Sequence, residues 1–227
     1  GSEMCIRDRG FTVKVSPVSS RKLYQEGQAT IPSDTACFPA KLSHGHIAEL
    51  CKMGVDAIFY PCMSYNVDEH LGDNHYNCPV VAYYPELLQA NITKLKDIRF
   101  LYPYLGLHRP ADFVKKATAF FSEQFGGISR SEVKRAADKA YAVYYQWHED
   151  IKAEGAKAMA YAKEHGSQMV ILAGRPYHID PEINHGIDKL IHSFGIVILT
   201  EDSVSDLVQP QQVNVLNQWT YHAVSYT

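Results

Sequence analysis

The chain has 227 residues, is 46% hydrophobic and carries a net charge of −3 at pH 7. That length suits one large or two small α/β units with a real core. The charge balance does not suggest a nucleic-acid surface or an anionic-membrane surface, and no apolar run reaches the ~18 residues of a bilayer span.

The five cysteines, Cys5, Cys37, Cys51, Cys62 and Cys78, are few, scattered and odd in number, unlike a secreted disulfide framework. No signal peptide is evident, so a cytoplasmic, reducing compartment is expected. Residues 1–9 (GSEMCIRDR) and 223–227 (AVSYT) are expected to be a non-native leader and tail, which sets Cys5 aside.

In chain order, FTVKVS (11–16) alternates like a strand, and SSRKLYQEG reads as a short helix with a serine N-cap. ATI (29–31) is expected as a brief strand. CFPAKLSHGHIAELCKMG (37–54) is expected as a helix with Pro39 near its start and Gly45 as a weak point. VDAIFYPC (55–62) reads as a buried strand. CPVVAYYPELLQANI (78–92) reads as strand, then Pro85, then helix, and KDIRFLYPYL (96–105) as another strand. Helices follow over 111–126 and 129–166, the latter broken near Gly155 or continuous, with a capping box from Ser129 to Glu132. SQMVILAG (167–174) and IVILTED (196–202) are strands flanking a helix over 183–195, and VNVLNQWTYH (213–222) begins a last helix.

Apolar, non-alternating strands between helices imply parallel sheets covered on both faces. The expected architecture is two Rossmann- or flavodoxin-like lobes joined by a long helical segment. The first lobe spans 10–107, the connection 108–166 and a truncated second lobe 167–222.

In such sheets ligands bind at the carboxyl ends of strands. Cys62 follows the AIFYP strand, and Cys37 stands at a helix mouth, where free N–H groups favour a thiolate. Each is equally readable as a small buried residue. Cys51 falls on the apolar face of its helix and reads as core. Cys78 precedes its expected strand, about 16 Å from the ligand edge at ~3.3 Å per residue, which makes it a weak metal-ligand candidate. His44 and His46 do not share a helix face, and no local zinc motif is present, but a composite Cys37/Cys62/His site stays open. Lys41 reads as an anion contact or as a solvated surface lysine. Neither a P-loop nor a dinucleotide fingerprint occurs. In AGRPYHIDPEINHG (173–186), Arg175, Tyr177 and His178 are candidates for binding an anion or substrate. Alternatively, Arg175 pairs with Asp180 or Glu182 and closes the loop.

SDTACFPAKLSHGHI, VDAIFYPCMSYN, YNCPVVAYYPELL and ILAGRPYHIDPEINHGIDKLIHSFGIVILTEDSV together resemble the large acyl-CoA dehydratase activase-related proteins. These are relatives of the 2-hydroxyglutaryl-CoA dehydratase system of anaerobic bacteria. The resemblance covers nearly all of residues 10–222 and identifies the chain as an internal fragment. It implies flavodoxin-like lobes, a 4Fe-4S cluster held by three cysteines, and low-potential electron transfer driven by ATP on separate activase modules. Those modules are the implied partners, with an acyl-CoA or other small molecule as substrate, and neither nucleic acid nor membrane. Cys37 and Cys62 match the first two cluster cysteines in position. No cysteine follows Cys78, so either Cys78 substitutes as the third ligand or that ligand lies outside the chain; the expected topology favours the latter. Two alternatives stand beside this one: a docking or scaffold module of the same large protein, and a zinc-binding domain.

Overall fold

Local signals set where the first helices begin. The Ser20 hydroxyl accepts the Leu23 N–H at 3.2 Å and starts α1 (Arg21–Gly27). Cys37 is the N-cap of α2 (Phe38–Lys52), with Pro39 in the first turn, where a missing N–H costs nothing. Cys78 is likewise the N-cap of α3 (Pro79–Asn91). This computed structural model describes residues 11–70, 72–205 and 207. It divides into two compact units, Gly1–Val67 with Tyr76–Asp138, and Asp68–His75 with Lys139–Thr227. The proposed leader, the proposed tail and the expected helix over 213–222 lie outside the described residues.

The first unit is built on a parallel ribbon interrupted by proline. β1 (Ala57–Phe59) pairs with β3 (Arg99–Leu101), and β2 (Cys62–Met63) pairs with β4 (Tyr104–Leu105). One register runs through both pairs, so Pro61 faces Pro103 where neither can donate a ladder bond. The Tyr60 and Cys62 N–H groups carry the ladder across the gap, to Leu101 O and Pro103 O, each at 2.9 Å. Ala40 and Ile47 of α2, Ile58 of β1 and Leu88 of α3 form the buried core with Ile92 and Leu95. Cys51 and Tyr60 pack against that core. α4 (Pro110–Phe125) completes the regular structure before the long helix.

The second unit takes most of α5 (Arg130–His165), β5 (Met169–Leu172), α6 (Ile187–Ser193) and β6 (Val197–Thr200). β5 and β6 pair in parallel over four positions. Segment 68–75 belongs to this unit, and the Glu69 charge adds to burial in pushing the Tyr144 phenol of α5 up to about 12.

The expectation of an α/β chain with parallel strands agrees with the structure, but the strand pairs are short. Among the described residues they do not extend into flavodoxin-like sheets. Three local expectations are corrected. Residues 11–16 form no strand, because no neighbouring strand pairs with them among the described residues. ATI lies in and beside a 3₁₀ turn (Gln28–Thr30) rather than in a strand. CPVVAYY is the start of α3, which runs through Pro85; its buried positions Ala82, Pro85 and Leu88 follow the helical period. Of the two readings at Gly155 the continuous helix holds: the backbone of Ser203 lies against Gly155, and a Cβ there would overlap Ser203 O.

Gly45 has a similar packing role. α1 and α2 cross where Gly27 meets Gly45, and a Cβ on Gly45 would overlap Leu23 O. Beneath the crossing His44 is 1% exposed and bonds Thr30 Oγ1 at 2.8 Å, whose own proton goes to Gly27 O. Burial pushes the His44 pKa below 6.5.

Two outcomes follow from this crossing. Gly45→Ala is expected to cost about 1–3 kcal/mol in urea unfolding, as overpacking does; a loss under about 0.5 kcal/mol would show that the helices separate freely. His44 contributes stability that is present above 6.5 and is lost as pH falls through its lower folded-state pKa, because the unfolded chain takes the proton first. Urea midpoints at about pH 7.5 and 5.5 should therefore converge in His44→Gln relative to the parent chain; an unchanged difference would place the acid sensitivity elsewhere.

Candidate functional site

Two helix mouths in the first unit carry a thiol. Cys37 and Cys78 are both N-caps, and neither side chain makes a capping hydrogen bond. The first-turn N–H groups of α2 and α3 thus keep their partial positive charge where the sulfurs emerge. Cys37 is exposed and Cys78 half-buried.

Tyr84, on the second turn of α3, approaches the first of them. Its side chain is 8% exposed, and its hydroxyl lies 4.0 Å from Cys37 Sγ. Burial raises the Tyr84 phenol far above its ordinary value, with Cys37, Tyr60 and Cys78 adding to the shift. Tyr60, pushed up to about 12 by burial and then by Cys62, continues the chain of contacts. Cys62 is completely buried. Burial raises its thiol and the Glu86 carboxylate adds to the rise, while hydrogen bonds with the Tyr104 hydroxyl and the Glu86 backbone pull it partly back. Tyr104 in turn donates to the Glu86 carboxylate.

The placement of Cys78 corrects the sequence expectation. Because 79–91 is helix and not strand, Cys78 lies at a helix mouth, as Cys37 does. Cys62, expected beside Cys37 at an open edge, is instead buried between β2, β4 and α3. All four described cysteines are free thiols. His44 bonds Thr30, and His46 bonds Ser16 at 2.9 Å and Ser19 at 3.1 Å, so the composite Cys37/Cys62/His site is not assembled. Among the described residues, no three His, Cys, Asp or Glu side chains are grouped to hold a single metal ion. Lys41 donates to Asp34 O at 2.7 Å and ties the loop before Cys37 to α2.

In the second unit, Arg175, Tyr177 and His178 follow the carboxyl end of β5, as expected. Arg175 Nη1 donates to the Tyr177 hydroxyl at 3.2 Å. Asp180 accepts the N–H groups of Glu182 and Ile183, and so caps its own turn.

Sequence reasoning passed over Glu86 and Tyr104. Their signal was present: FYPC (59–62) and LYPY (101–104) share a Tyr-Pro pair at equivalent places, which marks the register that sets Tyr104 against Cys62.

Exposure separates the thiols chemically. In the folded chain, iodoacetamide should modify Cys37 at least about tenfold faster than Cys62, read by peptide mass spectrometry; equal rates would mean that the ribbon opens readily.

Residues 4–204 match the family model described as the CoA enzyme activase uncharacterised domain (DUF2229). Searches of curated proteins and of solved structures return no match. The family match covers most of the chain and agrees with the resemblance carried by the cysteine and AGRPYH segments, so the chain belongs to the CoA enzyme activase domain family.

Proposed function

We propose that this chain is the iron–sulfur redox module of an acyl-CoA dehydratase/activase-type protein, taking part in ATP-driven, low-potential electron transfer. The observation that carries this reading is that Cys37 and Cys78 each stand at a helix N-terminus without a side-chain cap, with the buried Tyr84 hydroxyl 4.0 Å from Cys37 Sγ. Family membership supports it.

Three free thiols in one unit form the soft donor set that iron–sulfur clusters take. In this reading Cys37 and Cys78 hold a 4Fe-4S cluster from two helix mouths, and Cys62 is the third candidate ligand. The bound cluster would supply one-electron transfer at low potential. The protein's own groups shape its surroundings. The Tyr84 phenol, held in its protonated form, donates to the Cys37 sulfur. The first-turn N–H groups of α2 and α3 stabilise negative charge there. Tyr60 and Tyr84 keep water from the inner side. ATP would bind on other modules of the protein or complex. Those modules and a dehydratase would be the partners, with an acyl-CoA or small molecule as substrate. Among the described residues, no helix is long and apolar enough to cross a membrane. The free thiols suit a reducing, cytoplasmic setting.

The test is anaerobic reconstitution of the full chain with iron and sulfide, followed by assay of iron, zinc and acid-labile sulfide. Near-equal iron and sulfide are expected, lost in Cys37→Ser and in Cys78→Ser but kept in Cys51→Ser. A folded chain that takes up neither would overturn the redox reading in favour of a docking module, and zinc without sulfide would favour a zinc domain.

A further inference from the structure

The second unit contains a cleft of its own, of about 250 Å³, at the carboxyl ends of β5 and β6. Crevices in that place are where parallel α/β sheets take ligands.

Its mouth and its floor differ in charge. At the mouth, Arg175 and His178 are held by a tight turn: His178 N donates to Arg175 O at 2.8 Å, and Arg175 N donates to His178 Nδ1 at 3.0 Å. A backbone N–H is always the donor, so Nδ1 carries no proton and the neutral ring keeps its hydrogen on Nε2. The ring folds over Gly174, where a Cβ would overlap Nδ1 and displace the ring. A guanidinium and an imidazole N–H therefore stand together as donors. The other side is acidic. Glu201 follows β6 and is 4% exposed, a buried carboxyl with acceptor capacity on the cleft wall. Asn184, 8% exposed, lines the same cleft, and Ile183 and Ile187 close its apolar side.

We infer that this cleft binds a small hydroxylated oxyanion, its carboxylate or phosphate held by Arg175 and His178 and its hydroxyl donating to Glu201. The inference concerns the second unit alone and does not depend on the iron–sulfur reading.

The full chain is titrated calorimetrically with glycerate and with glycerol 3-phosphate, beside acetate and glycerol, which each lack one half of the recognised pattern. Saturable binding of at least one hydroxylated oxyanion below about 1 mM is expected, with both controls at least about tenfold weaker. Which of the two binds tells carboxylate from phosphate. Arg175→Gln, at the solvent-side mouth, should weaken binding about tenfold or more. Glu201→Gln, with its fold checked by circular dichroism, should reduce the hydroxylated ligand toward the level of acetate. No binding of either hydroxylated oxyanion below about 10 mM, or binding unchanged in Arg175→Gln, would overturn the assignment.

Discussion

The first unit depends on the register of its parallel ribbon, in which Pro61 stands opposite Pro103. The Tyr60 and Cys62 N–H groups donate to the partner strand, so the nitrogen of Pro61 between them points away from it and no ladder bond is lost there. A slip of one residue would turn every side chain to the opposite face. The observed register puts Cys62 opposite Tyr104. From that pairing come the burial of Cys62, its contact with the Tyr104 hydroxyl, and the Tyr104–Glu86 bond that ties the ribbon to α3.

The thiols at the helix mouths follow from a different rule. A helix start needs acceptors for its first N–H groups, and serine or aspartate is the usual supplier. At α2 and α3 cysteine occupies that position and makes no side-chain capping bond, with proline following in the first turn. Local helix stability is given up where the two sulfurs emerge. The buried Tyr84 hydroxyl lies 4.0 Å from Cys37 Sγ, and burial raises its phenol far above its ordinary value. An ordinary pair of capped helices would have neither feature.

Much of this was legible in the sequence where a residue has one dominant physical role. Ser20, Pro39 and the Ser129–Glu132 box mark helix starts, and each agrees with an observed hydrogen bond or first turn. The α3 segment was misread because its β-branched and aromatic residues mimic a buried strand, and Pro85 looked like a boundary. In the structure the helical spacing of buried residues prevails over both signals. Gly45 and Gly155 looked like helix weaknesses because their effect depends on a neighbouring backbone, Leu23 in one case and Ser203 in the other, that no local window contains. The site was partly legible for the same reason. Cys37 and the Arg175 turn are local features, whereas the place of Cys78 depended on the misread helix, and the Cys62–Tyr104 and Arg175–Glu201 neighbourhoods depend on strand pairing.

Segment Asp68–His75 belongs to one unit, while the residues on either side of it, Val67 and Tyr76, belong to the other. During synthesis this segment leaves the ribosome well before Lys139, where the rest of its unit begins. It must therefore wait, unpartnered, while the chain out to Asp138 is made, and the second unit cannot close until α5 is under way. Order of birth and order of assembly diverge here. The polar composition of the waiting segment, rich in Asp, Glu and His, keeps it compatible with water until its partners arrive.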